Sequence, residues 1–278
     1  MSNKNDQLIL NHYQEEARKH GCKQTATMPD KIYRDKEIEL VTNFIRKVMN
    51  DKSDNCLRIL DLGCGNGAAL SLVSESLSSN IYWGIDFCSD FISIANDRNL
   101  SNCTFNHGDA RSLDFEDNFF DIVYSERCLI NILDWEEQKL ALKELYRVLK
   151  PEGFYLMLEN FTDGLNNINK ARSEFGLKAL KEAYHNKYFD KKLFFDYINP
   201  MFTNINPVQL NSNLIDYEFT NNYMSSYFFI SRFLHALLST AVNAEFVRDT
   251  EFVKFFSFLP PIGNYAAPQA HYLQKKLS

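Results

Sequence analysis

The chain has 278 residues, 45% apolar and 24% charged, with a net charge of −6. With 23 Phe and 14 Tyr it can build a large core without disulfides or a structural metal, which excludes general disorder. The acidic balance argues against nucleic acid as a partner, since phosphate binding calls for a basic surface. The polar start of the chain lacks an apolar signal segment, and the most apolar stretch, 227–242, is interrupted by Ser231, Arg232 and His235. The expectation is a cytoplasmic protein without a transmembrane segment. The six cysteines form no CxxC pair, so free thiols and no metal site are expected.

In chain order, 5–20 reads as a helix stopped by Gly21, 25–33 as a loop around Pro29, and the spacing of Ile38, Val41, Ile45 and Val48 predicts a second helix that Asp51 to Asn55 breaks. A regular alternation follows. Strands are predicted over 57–62, 81–85, 103–106, 120–124 and 154–158, with helices over 68–77, 89–96 (capped by Ser89) and 135–149, and a turn at Pro151-Glu152-Gly153. Strands alternating with helices imply a parallel sheet covered on both faces. Beyond Asn160 the pattern is looser: partial helix over 162–176, helix over 189–197 ended by Pro200, a strand over 205–210, an aromatic-rich helical stretch over 212–261, and a last strand over 270–274. There is no repeat or low-complexity linker, so one elaborated domain is expected.

The strongest chemical signal is Asp61-Leu62-Gly63-Cys64-Gly65-Asn66-Gly67 between a strand and a helix. Glycines there allow a tight turn and close approach of a ligand to the backbone, in front of a helix N-terminus that favours negative charge. Asp86 ends the second strand, where a carboxylate can accept hydrogen bonds from both hydroxyls of a ribose; a helix-capping Asp is the plainer reading. These two features also fit a dinucleotide enzyme, because Gly63, Gly65 and Ala68 satisfy GxGxxA.

Three later segments separate the alternatives: Gly108-Asp109-Ala110 after the third strand, Phe120-Asp121-Ile122-Val123-Tyr124-Ser125 as the fourth, and Arg147 to Gly153 leading into the fifth. With them, residues 57–160 resemble the class I S-adenosylmethionine-dependent methyltransferases. The resemblance implies a Rossmann-like α/β fold with a mostly parallel seven-stranded sheet, helices on both faces, an N-terminal helical lid over 1–50, a cofactor-binding core over 51–160, and a helical insertion after strand 5 plus the last strands over 161–278. It implies S-adenosyl-L-methionine as cofactor and S-adenosyl-L-homocysteine as product. Asp61, Gly63 and Gly65 would hold the methionine end, Asp86 the ribose, Phe87, Asp109 and Ala110 the adenine, and Ser125 and Glu126 would sit beside the transferred methyl.

The segment Glu126-Arg127-Cys128-Leu129-Ile130-Asn131 has Asn131 where small-molecule methyltransferases often carry a His. Arg127 and Asn131 are read as substrate-positioning residues, against a structural role. This segment, with Glu159-Asn160, His185 to Tyr188, Gly263-Asn264-Tyr265, and Thr27 to Asp30 followed by Arg34 and Glu37, is similar to a subgroup associated with bacterial surface polysaccharides such as O-antigen. That resemblance implies O-methylation of a sugar hydroxyl in a surface glycan or its precursor. The alternatives are an N- or C-methyltransferase of a small metabolite and a non-catalytic cofactor-binding protein.

A hydroxyl acceptor benefits from a general base. His185, in the insertion that should roof the site, is the first candidate, against an ordinary core or surface histidine; Glu159, at the end of the fifth strand, is the second. Arg34 either pairs with Glu37 one turn on or reaches the cofactor carboxylate from the lid, with Tyr13 as a further lid residue. The aromatics of 223–238 read as core, with a cavity wall, a homo-oligomer contact or peripheral contact with a lipid-linked substrate as alternatives.

Overall fold

A computed structural model describes residues 4–52, 56–205, 220–242 and 250–277. Two helices, α1 (Lys4–His20) and α2 (Lys31–Lys52), precede the sheet. β1 (Arg58–Leu62), α3 (Ala68–Ser76), β2 (Ile81–Asp86), α4 (Ser89–Asn96), β3 (Cys103–His107), β4 (Phe120–Glu126), α5 (Trp135–Val148) and β5 (Leu149–Asn160) then alternate. After α6 (Thr162–Glu174) and α7 (Lys191–Ile198) come β6 (Phe202–Asn204), α8 (Ser225–Phe228), a π-helical turn (Phe229–Leu234), α9 (His235–Ala241), α10 (Glu251–Phe256) and β7 (Pro268–Lys275).

The sheet has seven strands in the order β3-β2-β1-β4-β5-β7-β6. β1 to β5 run parallel, and β7 lies antiparallel between β5 and β6. The order reverses between β1 and β4. Their carboxyl ends diverge there and leave the crevice in which doubly wound sheets bind ligands. An antiparallel β7 inserted beside β5 is not the arrangement of the dinucleotide enzymes, whose sixth strand continues the parallel order.

Central strands are apolar on both faces because helices cover both, and strand alternation divides their side chains between two cores. Ile59, Ile122, Tyr124, Leu156 and Leu158 pack on the face that carries α2 and α3. Leu60, Val123, Tyr155 and Met157 pack on the face that carries α5 and α7. α5 starts where Asp134 Oδ1 accepts from the N–H groups of Glu136 and Glu137, and it buries Ala141, Leu142, Leu145 and Val148.

Several local expectations are corrected. Ser89 is the first residue of α4 rather than its cap: the preceding Cys88 makes no side-chain cap, and its N–H donates to Asp86 Oδ1. Pro151 to Gly153 is not a turn outside the strand; β5 begins at Leu149 and carries the segment as an irregularity opposite β4, with Glu152 at φ 58°. α2 starts at Lys31, inside the expected loop, since Asp30 Oδ1 accepts from Tyr33 N and caps it. β6 covers Phe202–Asn204, ahead of the predicted strand; Ile205 N still donates to Tyr272 O, and 206–210 lie outside the described residues. Of the stretch expected to be helical, 212–219 and 243–249 also lie outside them.

Candidate active site

A cavity of about 590 Å³ opens at the carboxyl ends of β1, β2 and β4. Its floor includes Gly63, Gly65, Asp86 and Glu126; its roof includes Ile9, Leu10, His12 and Tyr13 of α1, the 27–29 loop, and Ala183, His185, Asn186 and Tyr188. The volume suits a small-molecule site.

The glycine turn is shaped by close approach. Gly63 has φ 83°, and a Cβ on it would stand 2.5 Å from the Cβ of Cys128. A side chain there would therefore displace the segment after β4 as well as strain the backbone. Gly63 N donates to Ile85 O at 2.7 Å, which ties the turn to β2. Asn66 joins the turn to the lid: its Nδ2 donates to Gly21 O and Lys23 O, and its Oδ1 accepts from Ala68 N.

Asp86 lies on the cavity wall, with Oδ2 accepting from Gly65 N and Oδ1 from Cys88 N, both at 2.8 Å. Burial pushes its carboxyl above the usual range against those two bonds. Each oxygen keeps a lone pair for a ligand hydroxyl. Phe87 and Ala110 line the same end. Asp109 lines it too, but its carboxylate is forked onto Arg111, which also reaches Asp6 of α1 and Glu137 of α5. Burial would raise the Asp109 carboxyl; the Arg111 hydrogen bonds outweigh it and hold the group low.

Four expected site residues, Asp61, Ser125, Glu159 and Arg34, do not reach the cavity wall. Asp61 is buried on the α2 face beside Glu126 and Arg34, and burial together with the Glu126 charge holds its carboxyl well above the usual range. Ser125 and Glu159 sit on the opposite face of the sheet, with Tyr155 and Met157. Ser125 Oγ donates to Glu159 Oε1, and that carboxylate also accepts from the backbone N–H groups of Cys128, Leu129 and Ile130. Glu159 is thus an anchor for the loop after β4 rather than a base facing a substrate. Burial pushes it up to about 7 despite four donors.

Arg34 is also redirected. Its guanidinium pairs with Glu126 and Glu37, is buried, and is absent from the cavity wall. The local pairing with Glu37 is what forms, joined by Glu126 at the end of β4. Arg127, in contrast, does line the cavity. It has φ 53°, a left-handed conformation that costs a non-glycine residue about 1–2 kcal/mol. Its N–H donates to Leu158 O, its Nη2 lies 3.2 Å from Glu37 Oε2, and its guanidinium stands over the Tyr33 ring. Its Nε and Nη1 have no partner.

Asn131 bridges lid and insertion, accepting from Tyr13 Oη and donating to His185 O and Asn186 Oδ1. The His185 ring stacks on His12 at 3.9 Å and leaves its buried Nδ1 without a partner. Burial, then the neighbouring His12, lower its pKa to about 4. Sequence reasoning missed His12 and Arg111 on the wall; Tyr188 was named only within its segment, and Phe228 and Arg232 only within a stretch for which a cavity wall was an alternative. The aromatic stretch serves two purposes: Tyr223, Met224 and Tyr227 are core, whereas Phe228 and Arg232 face the cavity. Among the described residues, no helix is long and apolar enough to cross a membrane, and no group of three or more His, Cys, Asp or Glu could hold a metal.

Residues 59–153 match the methyltransferase-domain family. A demethylmenaquinone methyltransferase of Staphylococcus aureus is 32% identical over 161 residues, 56% of this chain and 58% of that protein. The chain therefore spans just over half the length of the curated relatives it matches. Among solved structures, a putative sarcosine dimethylglycine methyltransferase from Galdieria sulphuraria superposes with TM-score 0.50 at 15% identity, over 88% of this chain and 86% of that one. A Pyrococcus horikoshii protein, PH0226, superposes with TM-score 0.49 at 26% identity, over 62% and 82% respectively. The sheet order, the crevice at the end of β1 and the match over 59–153 together identify the Rossmann-like class I methyltransferase fold, whose cofactor is S-adenosyl-L-methionine.

Proposed function

We propose that the protein is an S-adenosylmethionine-dependent methyltransferase that methylates a hydroxyl of a polar small molecule, a sugar of a surface glycan or its precursor being the class we favour. The glycine turn, Asp86, Phe87, Asp109 and Ala110 would hold the adenosyl part of the cofactor, with Tyr13 and the rest of α1 closing over it. The bound cofactor supplies a methyl activated on a sulfonium; the S–CH3 bond breaks as an O–CH3 bond forms, and the acceptor hydroxyl gives up its proton.

The observation that carries the choice of acceptor is the set of buried polar atoms left unsatisfied on the cavity wall: Arg127 Nε and Nη1, Glu126 Oε1, Asn160 Oδ1 and His185 Nδ1. Unpaired buried donors and acceptors are costly, so their presence suits a ligand that supplies the missing hydrogen bonds. An apolar acceptor would leave them unpaired. The named relatives support a small-molecule acceptor; a quinone-type acceptor such as their name indicates would fit this wall less well. His185 is neutral at neutral pH and can take the hydroxyl proton at Nδ1. Arg127 and Asn131 act as positioning residues, the second through the lid.

The test is transfer of labelled methyl from S-adenosylmethionine to a panel of sugars, nucleotide sugars, amines and quinols. Methylation of a sugar oxygen is expected. Exclusive labelling of a quinol carbon or an amine would replace the acceptor assignment, and loss of S-adenosylhomocysteine binding would remove the cofactor assignment as well.

A further inference from the structure

Four cations lie on the cavity wall among the described residues: Arg111, Arg127, Lys181 and Arg232. Arg111 is held by three carboxylates. Arg232 is paired with Asp30, and Lys181 is exposed at the mouth. Arg127 differs from all three. Two of its buried nitrogens have no partner, and its side chain is 11% exposed, close to the 8% of Arg232. It is also held in place. A left-handed backbone aims it, Glu37 fixes one end of the guanidinium, and the guanidinium carbon stands over the Tyr33 ring. A buried, oriented guanidinium with free N–H groups matches a carboxylate in charge and in hydrogen bonding.

The surroundings add to this. Glu126, next to Arg127 in the chain and also on the wall, is paired with Arg34, so its charge is compensated where an anion would approach Arg127. Glu126 Oε1 and Asn160 Oδ1 are unpartnered acceptors on the same wall. They call for O–H donors on the same ligand. Taking the methyltransferase reading as its basis, we infer that the acceptor is a hydroxylated carboxylic acid whose carboxylate pairs with Arg127 while its hydroxyls meet Glu126 and Asn160. A uronic acid belongs to this class; a neutral sugar does not.

A carboxylate could also come from the amino-acid end of the cofactor, and the experiment separates the two. Binding of S-adenosylhomocysteine and of methylthioadenosine, which lacks the carboxylate, is measured by calorimetry on wild type, Arg127→Gln and Arg127→Lys. The protein loaded with S-adenosylhomocysteine is then titrated with D-glucuronate, D-glucuronamide, 4-hydroxybenzoate and 4-hydroxybenzamide by ligand-observed NMR. The inference expects at least one acid to bind about tenfold or more tighter than its amide. That preference should vanish in Arg127→Gln and return in part in Arg127→Lys, with S-adenosylhomocysteine affinity nearly unchanged in both. Acids that bind no better than amides, or not at all, overturn it. So does a large loss of S-adenosylhomocysteine affinity in Arg127→Gln with methylthioadenosine unaffected, since Arg127 would then serve the cofactor. Failure of wild type to bind S-adenosylhomocysteine would be a different result, removing the methyltransferase reading itself.

Discussion

Asp86 has two duties that one substitution will expose together. It faces the cavity, and its two oxygens hold the N–H groups of Gly65 and Cys88. Asp86→Ala should weaken S-adenosylhomocysteine binding by about 1–3 kcal/mol, the scale of lost hydrogen bonds to a charged group. Asp86→Asn keeps one acceptor and should lose less; equal affinity for all three proteins in calorimetry would take Asp86 out of the site. His185 gives a second residue-scale test. General-base help is typically worth about 10²–10⁴ in rate. With its pKa lowered to about 4, His185 is a weak base, so the lower end of that range applies to turnover in His185→Ala. A base must be unprotonated, so wild-type turnover should hold steady above about pH 5 and fall as pH drops through about 4. A variant that retains both the turnover and the acid limb would leave the proton to solvent.

The positions of Ser125 and Glu159 away from the cavity follow from strand parity; that of Asp61, on the face that borders the cavity, does not. Side chains two apart share a face. Ser125 goes with Val123, and Glu159 with Tyr155 and Met157, onto the α5 face; Glu126 and Asn160 go with Tyr124 and Leu158 onto the α2 face that borders the cavity. Arg34 and Arg127 could not be told apart that way. Which guanidinium Glu126 neutralises depends on how α2 packs over the sheet, and only the structure shows it.

At the scale of elements, the loop after β4 is held from below by Glu159 and from above by Asn131. Glu159 collects one hydroxyl and three backbone N–H groups. Glu159→Gln keeps the size but turns an N–H2 toward donors, so at least one buried N–H loses its acceptor. A loss of about 1–3 kcal/mol in urea unfolding is expected, together with faster amide exchange in 126–131. If only exchange across the whole sheet rose, the residue would be core support without a local task. α1 is attached more lightly: its links to the rest of the roof run through Tyr13 to Asn131, His12 to Tyr184 and His185, and Asp6 to Arg111. Asn131→Ala removes the first of these and frees the 185–186 segment. It should raise exchange in α1 and 183–188 and weaken cofactor binding while leaving the unfolding midpoint nearly unchanged. The alternation of β1 to β5 was legible because β1, β2, β4 and β5 carry apolar residues on both faces, whereas the edge strand β3 buries only Phe105. β6 was not, because an edge strand of three residues carries too little pattern, and the Pro151 to Gly153 irregularity uses turn residues inside a strand.

For the whole molecule, buried ionisable groups set opposing slopes of stability with pH. Glu37 and Glu159 are each raised to about 7, chiefly by burial. The native state holds their protons more tightly than the unfolded chain, so their contribution is complete below about pH 4.3 and is lost as pH rises through 7. His185 and His271 are lowered to about 4 and about 3, again chiefly by burial. They act the other way: their contribution is present above about pH 6.5 and is lost as pH falls toward those values. Between about pH 4.5 and 6.5 the two pairs oppose each other, and Asp61 and Asp86, also raised by burial, act with the two Glu, so urea-unfolding stability of the wild type should fall as pH rises. His271 is the cleaner of the histidines to remove, because it is 1% exposed, packs against Phe161 and Phe195, and lies outside the cavity wall. His271→Phe deletes one of the terms that rise with pH, so the carboxylates should dominate. The variant should then be most stable near pH 4 and lose stability relative to wild type, on the order of 1 kcal/mol per pH unit, up to about pH 6.5. Parallel curves for the two proteins across that window would mean that His271 is already protonated in the folded chain, paired with Asp163 rather than held neutral by burial.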